Sequence, residues 1–413
     1  MDKTPKIRLH VPDPPARPGE APRFDYLPLA EPGETRLPAM DESPEAMRDM
    51  AWGLVRLMDG MGNAVGPWAD WLGKVDPDLL RKGLRDMMTT RYIDRRMQMA
   101  QRQGKTTNHA QCTGEEAIAC GFQSVLAQGD MNFPTYRQQG LLFAAGYPIH
   151  MYMNQVFGNA GDPVLGRQLA VMTSAKDHGF FSISGNLATQ FVQAVGWAMG
   201  SAISEDTRIA AGWIGDGAAA EGDFHWAMLF SAVYKPPVVL NLVNNQWAIS
   251  TFSGLTGGGA QPFAARGIGY GLPAIRVDGN DYLAVLAASR WATERARQGL
   301  GPTFIEWLTY RAASHTTSDD PTVYRAKDES TAWPLGDPIE RLKTHLIAMG
   351  EWSDERHAQA QAEVEDHVKA EQKIAESFGT MLDGGTAPAG AMFSDVYKDM
   401  PENLRRQRQK AGI

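Results

Sequence analysis

Between residues 208 and 310 the chain alternates short apolar runs with stretches of helical periodicity, and this alternation limits the fold more than any other feature. Residues 208–214 (RIAAGWI), 237–243 (PVVLNLV) and 303–310 (TFIEWLTY) read as strands. The first two are continuous apolar runs, as expected of strands covered on both sheet faces. Residues 221–234, with Phe224, Met228, Leu229 and Ala232 on one face, and residues 281–297 read as the helices between them. Strands alternating with helices make βαβ units and a parallel sheet. The expected class is therefore α/β, a parallel sheet flanked by helices.

The flanking segments differ from this centre. From Asp76 onward, Pro77, Leu79, Leu80, Leu84, Met87, Met88, Tyr92 and Ile93 recur at three- and four-residue steps, predicting a helix that runs towards Gly104. Asp76 is its N-cap and Pro77 its first helical residue. Near the other end, Ser353 caps a helix with Asp354 and Glu355 in its first turn, and Val364, Val368 and Phe378 are expected to face inward. The ending ENLRRQRQK reads as a solvated basic helix end. Residues 1–44 hold 10 of the 25 prolines, too many donors lost for a core of their own. They predict an extended arm, either disordered or wrapped on a partner subunit, with Phe24, Tyr26 and Leu27 as anchors. The expected division is an arm over 1–75, an α/β domain over 76–350 and a C-terminal helical segment over 351–413.

A formal net charge of −8 argues against general affinity for nucleic acid or an anionic membrane surface. The longest apolar-looking stretch, residues 191–203, contains Gln193 and is too short to span a bilayer. Cys112 and Cys120 match neither a disulfide framework nor zinc spacing, which suits a reducing compartment. The first residues lack the apolar core of a secretory signal, and Asp2, Asp13 and Glu20 oppose a transit peptide. The expected location is a bacterial-type cytoplasm, or a mitochondrial matrix for a mature form.

Chemistry enters where two of the strands stop. Gly215-Asp216-Gly217 follows the first strand, and Asn244-Asn245 ends the next, with Asn245 standing 29 residues after Asp216. Ligands of a parallel sheet bind outside the carboxyl ends of its strands, so Asp216 and Asn245 are expected to converge. The glycines permit a tight turn, and the helix expected to open after Gly217 would aim its N-terminus at the same place, favouring a phosphate. Gly215-x-Gly217-x-x-Ala220 also fits the dinucleotide fingerprint. That reading lacks an acidic residue at the end of the second strand, where two asparagines stand, and it puts Asp216 beside a bare pyrophosphate. A carboxylate next to a diphosphate makes sense with a divalent cation between them, and an Asp, an Asn oxygen and a nearby carbonyl suit Mg²⁺.

GDG followed by NN at this spacing resembles the thiamin diphosphate (ThDP) motif. The wider chain resembles the α subunit of the two-chain 2-oxo acid dehydrogenases, the E1 component of their multienzyme complexes. The resemblance is carried by GEEA (114–117), FPTYRQQG (133–140), ISGNLATQFVQAVGWA (183–198), WIGDGAAAEGDFHWAM (213–228), VNNQWAIST (243–251), VDGNDY (277–282) and YRAASHTTSDDPTVYR (310–325). LATQ, TTSDD and the Pro-rich front are most similar to the branched-chain subgroup. The resemblance implies a ThDP-binding fold in which Asp216 and Asn245 ligate Mg²⁺ through their side chains and Trp247 through its carbonyl. It implies that Gly215, Gly217 and Ala218 line the diphosphate, that Tyr136, Arg137 and Arg311 assist, and that Leu187 lies under the bent cofactor. His315 is implied near cofactor and substrate, handling protons near neutral pH; His315 and Tyr136 are the expected catalytic pair. Ser184, Thr189 and Gln190 match a K⁺ site of some relatives, with turn and cap duty as the alternative.

The implied activity is oxidative decarboxylation of branched-chain 2-oxo acids with transfer of the acyl group to the lipoyl arm of the E2 core. The implied partners are an E1 β chain, in an α₂β₂ heterotetramer, and the E2 lipoyl domain. Pyruvate or acetoin as substrate, and a non-catalytic scaffold, are the alternatives. Three departures from the family pattern bear on this. Val243 replaces an arginine, and Thr316 stands where animal relatives carry a phosphorylated serine. Thr107-Asn108-His109-Ala110 is polar where branched-chain relatives are aromatic, and this segment is expected near the substrate channel.

Overall fold

The computed structural model describes residues 9–383, 385–394 and 396–413. Its main sheet has five strands, β1 (Met131–Phe133), β2 (Ala210–Gly215), β3 (Val238–Asn244), β6 (Ala274–Asp278) and β7 (Thr303–Leu308). They run in the order β1-β2-β3-β7-β6, every pair parallel. A two-stranded antiparallel hairpin, β4 (Trp247–Ala248) and β5 (Thr251–Phe252), follows β3 directly.

Successive residues of a strand face opposite sides of a sheet, and here each side carries its own core. Ala210, Ile214, Leu240, Leu242 and Phe304 pack with Phe191, Phe224 and Met228 of helices Thr189–Ile203 and Gly222–Tyr234. Trp213, Val239, Ile305 and Trp307 face the other way, into a larger core with helices Pro77–Arg102 and Tyr282–Arg297. That larger core runs from Met47 to Ala375, so all three stretches of the chain contribute to it. Asn241, in the middle of β3, survives burial because it donates to the Gly212 carbonyl and accepts from Trp307 Nε1 at 3.0 Å.

The expected helix starts hold. Asp76 accepts from Asp78 N–H ahead of Pro77–Arg102, and Ser353 accepts from Arg356 N–H ahead of Asp354–Glu376. Four expectations need correction. Gly217 opens a 3-10 turn, Gly217–Ala220, rather than the α-helix, because Asp216 caps that turn and Glu221 is extended; the α-helix starts at Gly222. Within it the buried stripe is Phe224, Ala227, Met228 and Ser231, and Leu229 sits one helical step outside that stripe, exposed. Phe378 lies beyond the helix end at Glu376 and is 45% exposed. The third strand ends at Leu308, where Thr309 turns its hydroxyl to Gly114 and Asn280.

Residues 1–8 of the expected arm lie outside the described residues; of the rest, Phe24 and Tyr26 rest on aromatic side chains of the same chain. Phe24 meets Trp333 and Tyr310 edge-on, and Val55 bridges Val277 at the sheet edge. Cys112 and Cys120 are free and buried. Among the described residues no helix is long and apolar enough to cross a membrane.

Candidate active site

β2 and β3 are adjacent and in register, Gly215 beside Val243. Their next residues, Asp216 and Asn245, therefore meet at one end of the sheet and line a cleft of ≈ 270 Å³. Tyr136, Arg137, Ser184, Leu187, Gln190, Gly215, Gly217, Ala218, Trp247 and His315 line it too. Twelve of the fourteen expected site residues are thus drawn from distant stretches of sequence into this cleft; Thr189 and Arg311 do not line it, and Arg311 stands behind it.

Asp216 is 2% exposed. Its Oδ1 accepts from Gly217 N–H at 2.9 Å, and its Oδ2, though buried, has no partner. Burial pushes this carboxyl up to about 7, against the pull of Gly217 N–H and Arg311. Asn245 accepts from Trp247 N–H at 3.2 Å and donates to Glu115 Oε1 at 2.7 Å. Glu115 also lines the cleft, and its Oε2 is buried without a partner. Burial raises it to about 7, with Arg137 opposing. A buried acceptor left unmatched is costly unless something fills it. Here two carboxyls converge with such atoms, and oxygen donors of this kind suit a hard divalent cation.

The opposite wall is cationic. Arg137 donates to the Gln111 carbonyl, to His315 O at 2.9 Å and to His315 Nδ1 at 3.1 Å. A ring nitrogen that accepts from a guanidinium carries no proton, so the imidazole is the neutral tautomer with hydrogen on Nε2. Burial first, then Arg137 and Arg311, lower His315 to about 3. Without a bound anion His315 is thus a neutral donor. Tyr136 stands edge-on to its ring at 5.9 Å. Leu187 projects into the cleft, 48% exposed, from a loop whose next residue, Ala188, has φ of +64°. Gln246 and Ile249 are left-handed as well, so backbone strain collects around this cleft.

Arg311 is fully buried and holds the hairpin from behind, donating to Trp247 O at 2.7 Å, Ile249 O at 2.8 Å and Tyr324 Oη at 2.8 Å. Burial and Arg137 lower it to about 10. In the first turn of helix Thr189–Ile203, Thr189 donates to Asp223 and Gln190 Nε2 to Ser184 O, leaving Gln190 Oε1 buried without a partner. Residues 107–110 do not line the cleft. His109 is buried against Asp94, with Nε2 2.9 Å from its carboxylate, so this histidine serves the interior.

Glu115 is the residue that sequence reasoning missed, although it lies within a quoted segment. No local signal separated it from its neighbour: Glu116 pairs with Arg91, and Glu115 meets Asn245 only in the fold.

A parallel α/β sheet whose strand ends carry a buried acid and an amide, facing a guanidinium wall, is the architecture of α/β enzymes that bind their ligands outside the carboxyl ends of the strands. The family model "Dehydrogenase E1 component" matches residues 84–381, and "2-oxoisovalerate dehydrogenase E1 alpha subunit N terminal" matches residues 5–45. The chain belongs to the dehydrogenase E1 family, whose members use ThDP. It is 55% identical to the 2-oxoisovalerate dehydrogenase subunit alpha of Pseudomonas aeruginosa, over 98% of both chains. It is 36% identical to the mitochondrial 2-oxoisovalerate dehydrogenase subunit alpha of Mus musculus, over 86% of this chain and 79% of that one.

Proposed function

We propose that this chain is the α subunit of a ThDP- and Mg²⁺-dependent dehydrogenase of branched-chain 2-oxo acids, passing the acyl group to the lipoyl arm of an E2 core. The observation that carries the reading is the buried, unpartnered Oδ2 of Asp216 facing the same cleft as Asn245. Asp216 and Asn245 hold Mg²⁺ through side-chain oxygens, and the Trp247 carbonyl contributes a lone pair that Arg311 leaves free. Gly217 suits the cradle: a Cβ there would stand 2.6 Å from Ala248 Cβ. When bound, ThDP supplies the nucleophilic carbon and the electron sink for loss of CO₂.

The rest is work for the protein. Arg137 offers a guanidinium edge to the diphosphate. His315 donates from Nε2, with Nδ1 fixed by Arg137. Tyr136 fixes the imidazole plane, and Leu187 shapes the pocket under the cofactor. Ser184, Thr189 and Gln190 form the K⁺ loop, supported by the unpartnered Gln190 Oε1.

The partner is a β chain that completes the site in an α₂β₂ assembly. Supporting this, helices Thr189–Ile203 and Gly222–Tyr234 expose Ile203, Trp226, Phe230, Val233 and Tyr234 together, an apolar face of the kind buried between subunits. The cytoplasm is the proposed location, in line with the similarity to a bacterial relative.

The test is ferricyanide reduction by the chain co-produced with its β partner, with ThDP and Mg²⁺, comparing 3-methyl-2-oxobutanoate with pyruvate. Preference for the branched acid, lost on omitting Mg²⁺ or ThDP, is expected. Preference for pyruvate keeps the chemistry and overturns the substrate.

A further inference from the structure

The hairpin β4–β5 has two sides. Trp247, Ala248, Ile249 and Thr251 line the cleft. Its other side is covered by the N-terminal arm. Tyr26 packs edge-on against Phe252, ring centroids 5.4 Å apart and planes at 90°. Its hydroxyl donates to Gln246 Oε1 at 2.9 Å, across 220 residues of sequence. Pro12 lies against Gly254, where a Cβ would meet the Pro12 Cβ at 3.0 Å.

Gln246 sits between Asn245 and Trp247 and has φ of +73°, a conformation unfavourable to a residue with a Cβ. Its amide group is satisfied at both ends: Nε2 donates to Asn244 Oδ1 at 3.0 Å, and Oε1 accepts from Tyr26. Without the Tyr26 bond the side chain is held from one end only, and the strained backbone loses a restraint. That backbone sets both the Asn245 side chain and the Trp247 carbonyl.

We propose that Tyr26 is a positioning residue for the cofactor site: the arm braces the turn at Gln246 from behind and so holds two metal ligands in register. This rests on the reading of Asn245 and Trp247 given above. It assigns the arm a task inside its own chain, in place of a free tail.

The experiment uses the chain assembled with its β partner, stripped of cofactor, and three variants: Tyr26→Phe, Gln246→Ala and the double. Mg²⁺·ThDP binding is followed by calorimetry, and urea unfolding is measured without cofactor. One neutral hydrogen bond is worth about 1 kcal/mol, so Tyr26→Phe is expected to weaken Mg²⁺·ThDP binding by about fivefold. Its cofactor-free unfolding midpoint should fall slightly, because the bond is already made without cofactor, while kcat at saturating cofactor should be unchanged. The double variant should bind no worse than Gln246→Ala alone. Unchanged affinity in Tyr26→Phe, or additive losses in the double variant, overturns the bracing role. A fall in the unfolding midpoint with affinity intact makes Tyr26 merely structural and also overturns it. If the unaltered protein fails to bind Mg²⁺·ThDP, the cofactor reading falls, and this inference with it.

Discussion

Replacing Asp216 with Asn should stabilise the cofactor-free protein at pH 8 while abolishing its response to Mg²⁺ and ThDP. The carboxyl is 2% exposed, with one oxygen on Gly217 N–H and the other on nothing. Burial raises it to about 7. Between roughly pH 4 and pH 7 the native state therefore keeps a proton that the unfolded chain has lost, and the stability due to this group falls as pH rises through that window. Lifting a carboxyl that far corresponds to about 4 kcal/mol at pH 8. An amide in its place keeps the bond to Gly217 but buries an NH₂ without a partner, which costs about 1–3 kcal/mol. The net expectation is a gain of about 1–3 kcal/mol at pH 8. At pH 5.5 the native carboxyl is already neutral, and the gain should vanish or reverse. Equilibrium urea unfolding of both forms at the two pH values measures this. With Mg²⁺·ThDP added, the parent should gain stability by mass action and the variant should not. A variant equally destabilised at both pH values would refute the argument, because it would mean that Asp216 is ionised and well solvated.

Three further outcomes are expected. Gly83→Ala, normally worth about 1 kcal/mol in favour of a helix, should instead destabilise by about 1–3 kcal/mol, since its Cβ would lie 2.1 Å from Tyr282 Oη in the core; thermal unfolding gives the sign. In the cofactor-free protein the His315 ring should show the Nε2–H tautomer and no titration between about pH 5 and 8, read by ¹⁵N-detected NMR, and Arg137→Gln should bring its titration up towards the ordinary range. Arg311→Lys, which cannot keep bonds to Trp247 O, Ile249 O and Tyr324 Oη together, should weaken Mg²⁺·ThDP binding by tenfold or more, measured by calorimetry, with the hairpin more open to hydrogen exchange.

How far the sequence revealed the site depended on how local each signal was. β2 and β3 were readable because cover on both faces leaves uninterrupted apolar runs, and the turns that end them carry Asp216 and Asn245. β1 has only three residues, and β6 carries Arg276 in mid-strand, paired with Glu306 on β7 at 3.7 Å, so neither gives a run to recognise. The 3-10 turn at Gly217 was hidden because a glycine after an aspartate is compatible with either helix start. Residues whose partners are remote stayed silent. Glu115 meets Asn245 across 130 residues, and Tyr26 meets Gln246 across 220. His109 looked like a channel residue until Asp94 appeared beside it.

These remote pairings also explain why the cleft holds its shape. Three of the groups that would touch metal or phosphate have a second, buried group fixing them: Asn245 has Glu115, His315 has Arg137, and the Trp247 carbonyl has Arg311. The Trp247 ring is itself anchored by Glu329, which accepts from its Nε1 at 2.8 Å. Among the residues that line the cleft, Asp216, Glu115 and Gln190 each keep a buried acceptor without a partner. With both carboxyls raised to about 7 and His315 neutral, the two guanidiniums leave the site net positive below about pH 7, which suits an anionic diphosphate. A divalent cation would take the place of a proton on Asp216, and an anionic diphosphate would favour the protonated form of His315. Binding and ionisation are then one linked equilibrium, so the affinity for Mg²⁺ should rise with pH through about 7, the range in which Asp216 gives up its proton.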